Sequence, residues 1–243
     1  MKDPRPIFLF SDFGLSGPYV GQMIAAILAL NSRSTVVNLM HDAPAMCPEL
    51  SAYLLPAICR HLPSGAVVVA VVDPGVGGAR AALVVETNRF KAVGPDNGLL
   101  SRLRGIGTVK RIDWRPAELS SSFHGRDLFA PAAARLAAGE PLGATAIEPG
   151  SMVGADWPGE LDKVVYIDAF GNVITGLDAE KLSKNRKICV SGRVISHAET
   201  FCRAAPGELF WYANSQGLIE IAANRDSAAR TLALALGDKI LLD

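Results

Sequence analysis

Short apolar segments alternate with longer amphipathic segments in the first half of the chain. Ile7 to Phe10 is apolar throughout, and Ala66 to Val72 is a continuous apolar run, as is typical of strands covered on both faces. Apolar residues recur at helical spacing in three segments: Pro18 to Leu30, Pro48 to His61 and Arg126 to Ala138. This alternation predicts an α/β sandwich domain with a mainly parallel sheet and helices on both faces.

The pattern changes near residue 139. Gly139 to Glu160 is rich in Gly, Pro and small residues, which predicts a linker. Beyond it, short strand-like runs follow one another at regular spacing, from Val164 to Asp168 through to Leu218 to Ala222, as is typical of a small β-barrel or sandwich. The predicted organisation is therefore an N-terminal α/β domain at residues 1–155 and a C-terminal domain of short strands at residues 161–243.

Composition narrows the classes of function. The chain has 24 basic and 24 acidic residues, and this zero net charge argues against a nucleic-acid or anionic-membrane partner. The N-terminal residues 1–6 lack the apolar segment of a signal peptide, and no apolar run is long enough to span a bilayer. The cysteines form no CxxC pair, so we expect reduced thiols in a cytoplasmic protein.

Polar residues follow several of the predicted strands, where ligands bind in open α/β sheets. Asp12 follows the first strand; it either shapes the turn into the next helix or accepts hydrogen bonds from ribose hydroxyls. Asp73 follows the third strand, within a turn-forming Asp-Pro-Gly sequence, and Arg80 is near enough to pair with it. Asp96-Asn97 favours a structural turn, whereas His124 at a helix start is a candidate proton acceptor.

Common catalytic signatures do not account for these clusters. The sequence lacks the Walker and Rossmann glycine patterns and the GxSxG nucleophile elbow. A dinuclear metal hydrolase stays open because suitable ligand types are present, although without the usual spacings: His41, Asp42, Asp73, Asp96, Asn97 and His124.

Six motifs occur together and in order: SDFG, VVDPGVGG with Arg80, GPDNGLL, FHGRDLFAPAAA, DAFGN and NSQGLIEIAAN. In this combination the chain closely resembles the S-adenosylmethionine hydroxide adenosyltransferase family, which is related to the fluorinases and chlorinases. The resemblance implies an N-terminal α/β domain, a C-terminal β-barrel, and a homotrimer with active sites between the N-terminal domain of one subunit and the C-terminal domain of the next. It implies neither a metal nor a cofactor.

The resemblance also implies roles for individual residues. Asp73, Arg80 and His124 would form the catalytic set, and Asp12 would hold the ribose. Substrate contacts from the second domain would come from Asp168, Phe170, Asn172, Phe201, Ser215, Glu220, Ala223 and Arg225. The sequence departs from the family pattern at three positions, where Ser11, Gly17 and Gly176 replace the more common Thr, Asp and Asn.

The implied reaction is hydrolysis of S-adenosylmethionine to adenosine and methionine, by attack of water at the ribose C5′. The leaving group is a neutral thioether, so orientation of water matters more than a strong acid. A negative Asp73 would repel a halide, and the Ala81–Val93 segment lacks the insertion typical of the halogenating relatives. A protein that binds S-adenosylmethionine or adenosine without turnover and a 5′-halogenating enzyme are the alternatives.

Overall fold

The computed structural model describes residues 5–103 and 105–242. The chain divides into two compact units, the first ending at Trp157 and the second beginning at Pro158. The expectation that the chain has no signal peptide concerns residues 1–6, of which residues 1–4 lie outside the described ranges. None of the helices in these ranges has the length and apolar character needed to cross a lipid bilayer.

The described part of the first unit contains one seven-stranded sheet. Its strands, in chain order, are β1 (Ile7–Ser11), β2 (Val36–Met40), β3 (Val67–Val71), β4 (Ala82–Thr87), β5 (Lys91–Pro95), β6 (Ile106–Ile112) and β7 (Ala144–Ile147). The spatial order is β2-β1-β3-β5-β4-β6-β7. The first four in this order run parallel, whereas β4, β6 and β7 are each antiparallel to their neighbours.

The sheet is therefore mixed rather than mainly parallel. The reason lies in the short connection between β4, which ends at Thr87, and β5, which begins at Lys91. Two or three residues can close a hairpin, but a parallel pairing needs a crossover of a dozen residues or more. The predicted α/β class is confirmed, and the parallel half of the sheet contains β1 and β3, the strands that Asp12 and Asp73 follow.

Helices cover both faces of the sheet. They are α1 (Tyr19–Leu30), α2 (Pro48–Ile58) and α3 (Ala130–Ala138), the last preceded by a π-helical turn at Gly125–Phe129. Successive residues of a strand point to opposite faces, so Leu9 packs with α1 and α3 while Phe10 packs with α2. Burial on both faces explains why β3 is apolar throughout and β1 is apolar up to its last residue, Ser11.

The segment predicted as a linker, Gly139 to Glu160, is mostly part of the first unit. Within it, β7 pairs with β6, and Met152 lies in the core with 5% of its surface exposed. The Arg102 guanidinium donates hydrogen bonds to the carbonyl groups of Gly154, Ala155 and Trp157. Small residues thus mark close packing here rather than a free connection.

The second unit is a nearly closed barrel. Its described strands are β8 (Leu161–Ile167), β9 (Val173–Asp178), β10 (Ile188–Val190), β11 (Arg193–His197), β12 (Leu209–Ala213), β13 (Leu218–Ala223) and β14 (Leu241–Leu242), in the spatial order β14-β10-β11-β12-β13-β9-β8. The Val164 amide donates to the Asp238 carbonyl at 2.8 Å, and β14 pairs with β10. The C-terminal segment therefore bridges the two end strands, which confirms the predicted barrel.

Two local features of the barrel differ from the sequence pattern. The sequence predicts a helix near Ser227 to Leu236, but the structure forms only a shorter one, α4 (Ala228–Leu232), which ends at Ala233 in the left-handed conformation. The pattern did not reveal β11, because most of its side chains are exposed and it lacks a clear alternation of apolar and polar residues.

Gly176 illustrates how closely β8 and β9 approach. A Cβ at this position would lie 2.7 Å from the Leu161 Cβ and 2.8 Å from the Leu161 carbonyl oxygen. Gly176, one of the two glycines that depart from the family pattern, is therefore required in this chain by the close packing of β8 and β9.

We expect Gly176→Ala to destabilise the barrel by about 1–3 kcal/mol, because backbone must move to admit the methyl group. Gly159→Ala is the matched control, since a Cβ there has no atom within 4 Å. Denaturant unfolding of both variants measures the difference. Equal stability of the two variants would contradict the packing role assigned to Gly176.

Candidate active site

A partly buried ion pair lies beyond the end of β3. Asp73 has 3% of its side chain exposed, and its Oδ1 accepts a hydrogen bond from the Arg80 Nη1 at 2.5 Å. Within the described residues, Asp73 Oδ2 has no hydrogen-bond partner although it is buried. An unsatisfied buried carboxylate oxygen is costly in a folded protein, so this atom is suited to accept a hydrogen bond from a ligand or a water molecule.

The backbone around Asp73 is held from two directions. The Asn97 side chain donates from Nδ2 to the Val72 carbonyl at 2.8 Å, which fixes the residue before Asp73. Gly77 has φ +82, and a Cβ there would collide with the Ser121 carbonyl oxygen. Gly75 lacks the Cβ that would overlap the Arg80 guanidinium, so the arginine can fold back onto Asp73. The glycines therefore shape an ion pair rather than a phosphate cradle.

His124 lies far from Asp73 in the sequence but lines the same cavity. It directly precedes the π-helical turn at Gly125–Phe129, a distortion that is frequent at functional sites. Asp127 in this turn accepts a hydrogen bond from the Ser120 amide, and its contact with Arg126 holds the pKa of Asp127 below the usual range. These contacts fix the loop before His124 and the first turn after it.

Two cavities in the first unit share Asp73 and His124 in their walls. The larger, about 370 Å³, also borders on the side chains of Arg80, Arg115 and Ser121. The smaller, about 190 Å³, is lined by Phe13, Tyr19, Val71, Asp73, Val76, Ser122, Phe123, His124 and Gly125. Asp73 and His124 therefore line both a polar cavity and a largely apolar one.

Asp12 lies at the end of β1, next to Phe13 of the smaller cavity. Its Oδ2 accepts a hydrogen bond from the Met46 amide at 2.9 Å, which ties the β1 exit to the loop after β2. The same two segments are joined by a 2.7 Å hydrogen bond between the Ser11 hydroxyl and the buried His41 Nδ1. Burial lowers the pKa of His41, which favours the neutral ring. Ser11 keeps the hydroxyl that the family's Thr would supply.

In the second unit, Asp168 organises the loop between β8 and β9. Its Oδ1 accepts from the amides of Phe170 and Asn172, and its Oδ2 accepts from the Asn172 side chain. Gly171, with φ +82, packs against Ser227, where a Cβ would collide with the serine side chain. Phe170 is held with 81% of its surface exposed. An exposed aromatic ring on a fixed loop is a suitable surface for a planar ligand.

A buried polar cluster lies beside this loop. Glu220, 6% exposed, accepts hydrogen bonds from the Tyr212 hydroxyl at 2.5 Å and from the Asn214 side chain at 3.0 Å. Burial raises the pKa of Glu220, and the negative charge of Asp168 raises it further. The Phe201 ring contacts Tyr212 with centroids 5.7 Å apart. The structure thus brings Asp168, Glu220 and Phe201 into one region of the barrel.

The remaining predicted residues occupy two turns. Ser215 is exposed in the turn after Asn214, whose Oδ1 accepts from the Gln216 and Leu218 amides. Ala223 is buried at the end of β13, and Arg225 follows it, exposed and with φ +61. The Gly171 carbonyl accepts from the Ala229 amide, so the turn that carries Arg225 lies close to the Asp168 loop.

Sequence reasoning did not single out Tyr212, Asn214 or Gly75. A signal for the first two was present, because Glu220 interrupts the otherwise apolar strand β13 and a buried carboxylate needs donors. A dinuclear metal centre has no donor set in residues 5–103 and 105–242, where no group of three His, Cys, Asp or Glu residues could hold an ion.

Comparison with known proteins identifies the family. The model of the SAM hydroxide adenosyltransferase N-terminal domain matches residues 7–146, and that of the C-terminal domain matches residues 162–241. The chain belongs to the SAM hydroxide adenosyltransferase family.

Individual relatives of this family agree over nearly the full length. An (R)-S-adenosyl-L-methionine hydrolase from Salinispora arenicola is 38% identical, covering 95% of this chain and 94% of the relative. A second, from Thermus thermophilus, is 37% identical and covers 98% and 99%. A fluorinase from Actinopolyspora mzabensis is 27% identical, covering 93% of each chain. The crystal structure of an uncharacterised conserved protein from Thermotoga maritima superposes with a TM-score of 0.87 at 28% identity, covering 97% and 99%.

A substitution at Gly75 tests the importance of the ion pair between Asp73 and Arg80. In Gly75→Ala, the added methyl group would displace the mobile end of the Arg80 side chain and leave the backbone in place. We expect adenosine formation from S-adenosylmethionine to fall at least about tenfold while the free energy of unfolding changes by less than about 1 kcal/mol.

Assays of adenosine formation and of thermal unfolding for Gly75→Ala show whether activity is lost without a loss of stability. Arg80→Ala serves as the comparison, because it removes the same guanidinium directly. Unchanged activity in Gly75→Ala would show that the position of Arg80 beside Asp73 is unimportant.

Proposed function

We propose that this protein hydrolyses S-adenosyl-L-methionine to adenosine and L-methionine. The observation that carries the proposal is the buried Asp73 Oδ2, which has no hydrogen-bond partner among the described residues. Asp73 is paired with Arg80 through its other oxygen and lines the same cavity as Arg80 and His124. The Salinispora and Thermus relatives are named (R)-S-adenosyl-L-methionine hydrolases, which supports it and favours the (R) form of the sulfonium as substrate.

The proposed mechanism is an in-line displacement. A water oxygen forms a bond to the ribose C5′ while the C5′–S bond breaks. The electron pair of the C5′–S bond goes to the sulfur, which neutralises the sulfonium and gives the thioether of methionine. Asp73 Oδ2 accepts one hydrogen bond from the water and so orients it. His124 accepts the proton that the water loses, and the Arg80 guanidinium stabilises the developing hydroxide.

Water is favoured over a halide by two observations. The Asp73 side chain is 3% exposed. A halide that replaced the water beside it would lose its hydration shell, and the carboxylate would repel it. In addition, β4 begins at Ala82, two residues after Arg80, so the segment that follows Arg80 contains no inserted loop. Halogenation is therefore the weaker candidate, consistent with the lower identity to the fluorinase.

We further propose that substrate contacts come from both units. Asp12 holds the ribose; Asp168, Ser215 and Glu220 serve the methionine end or the ribose; and Phe170, Asn172, Phe201, Ala223 and Arg225 serve the adenine. In the proposed homotrimer, each site combines the first unit of one subunit with the second unit of the next. Four free cysteines, all in the described ranges, support a reducing, cytoplasmic location.

The activity is tested by incubating the purified protein with each sulfonium form of S-adenosylmethionine in ¹⁸O-labelled water. We expect equimolar adenosine and methionine, with the label in the adenosine 5′-hydroxyl and no loss of rate after chelation. Tight binding without product over hours would instead support the binding-protein alternative. Loss of activity on chelation would contradict the metal-independent mechanism.

Arg80→Ala separates catalysis from binding. We expect its turnover to fall by at least about 10²-fold, because a charged group that stabilises the nucleophile is removed, while calorimetry with adenosine gives a dissociation constant within about threefold of the wild type. An equal loss of turnover and adenosine affinity would assign Arg80 to binding instead.

The trimer proposal predicts complementation between inactive variants. Co-expressed Asp73→Asn and Asn172→Ala chains should recover roughly a quarter of the wild-type sites, because some subunit pairs join two intact units in a cyclic assembly. Asp73→Asn with Arg80→Ala is the matched control and should recover nothing, since both changes affect the same unit. Failure of the first pair to complement would place each site within one chain.

A further inference from the structure

The smaller cavity is bounded by an unusual group of aromatic rings. The centroids of Phe13, Tyr19 and Phe123 lie 5.4–5.8 Å apart, and the ring planes are tilted by 54–87°, so none of the pairs is stacked face to face. We call these three residues the aromatic wall. All three border on the same cavity as Asp73 and His124.

Packing alone does not account for the aromatic wall. Phe123 is buried in the core, but Tyr19 keeps 49% of its surface exposed at the first turn of α1. A large aromatic side chain that is half exposed and lines a cavity is available to a ligand. The cavity, at about 190 Å³, is too small for a whole nucleoside together with methionine, so it fits only the reacting centre of the substrate.

The charges that face this cavity favour a cation. Asp73 contributes a carboxylate whose Oδ1 is engaged by Arg80 and whose Oδ2 is not engaged by any described residue. Phe123 already has the Arg126 guanidinium 5.2 Å from its centroid, and Arg126 is itself paired with Asp127. The rings of Phe13 and Tyr19 are therefore the ones left for a ligand cation.

We infer that the aromatic wall binds the sulfonium group of the substrate by cation–π attraction, with Tyr19 as the residue that discriminates the charged sulfonium from a neutral thioether. This inference rests on the proposed function. A water held at Asp73 and His124 attacks C5′ from one side, which places the sulfur on the far side of that carbon. A cation in the cavity that lies over the face of Phe13 or Tyr19, within about 6 Å of the ring centroid, would be attracted by that ring.

The chemistry predicts a particular kinetic signature. The positive charge is present in the bound substrate and disappears as the C5′–S bond breaks. Attraction between the rings and the sulfonium therefore stabilises the bound substrate more than the transition state. Removing the π face should raise KM and leave kcat unchanged or higher, whereas general damage to the site would lower kcat.

The test compares Tyr19→Leu, which keeps an apolar side chain of similar reach, with Tyr19→Phe, which keeps the ring. We expect KM for S-adenosylmethionine to rise roughly 2–30-fold in Tyr19→Leu, the range expected for one cation–π contact, with no fall in kcat. Tyr19→Phe should stay within about twofold of the wild type. Leu15→Ala, in the exposed segment just before α1, controls for disturbance of this part of the chain.

Binding measurements separate this inference from the proposed function. Calorimetry with sinefungin, which carries an ammonium where the substrate has the sulfonium, should show the same loss in Tyr19→Leu. S-adenosylhomocysteine, a neutral thioether, should bind both proteins within about twofold. Equal losses for the two ligands, or a fall in kcat at constant KM, would overturn the inference. Absence of adenosine formation by the wild type would overturn the proposed function but leave this binding comparison valid.

Discussion

The ion pair between Asp73 and Arg80 is the interaction on which the site depends. A carboxylate with 3% exposure is too costly to bury unless a partner compensates its charge. Arg80 supplies that compensation at one oxygen, and the second oxygen is left to a ligand. The conformation of the connection from β3 to β4 follows from this need, because Gly75 gives the guanidinium its space and Gly77 allows the loop to pass beneath Ser121.

The site has a polar cavity and an apolar cavity, and Asp73 lines both. Asp73 and His124 border both spaces, whereas Arg80 faces the polar one and the aromatic rings face the other. A displacement reaction needs its nucleophile and leaving group on opposite sides of the reacting carbon. The fold provides that separation because Arg80 lines only the polar cavity, whereas Phe13 and Tyr19 line only the apolar one.

Much of the first unit is predictable from sequence because its strands are covered on both faces and so read as apolar runs, as β1 and β3 do. The residues after such strands meet at one sheet edge, which makes Asp12 and Asp73 recognisable candidates. Strand direction is not encoded in that pattern, so the antiparallel half of the sheet was missed. Composition also misled at Gly139 to Glu160, because Gly and Pro mark close packing as readily as they mark a linker. Contacts such as Tyr212 with Glu220 depend on register across strands, which a single sequence does not give.

The charge balance around Asp73 suits an enzyme that consumes a cation. A fully uncompensated carboxylate next to the sulfonium would stabilise the bound substrate strongly, and that stabilisation would be lost as the charge disappears in the transition state. Pairing with Arg80 weakens the attraction and leaves Oδ2 to orient the water. Aromatic rings can then hold the sulfonium with a weaker force, which is sufficient for selection and costs less when the bond breaks. The same arginine that makes burial of Asp73 tolerable therefore also limits how tightly the substrate charge is held.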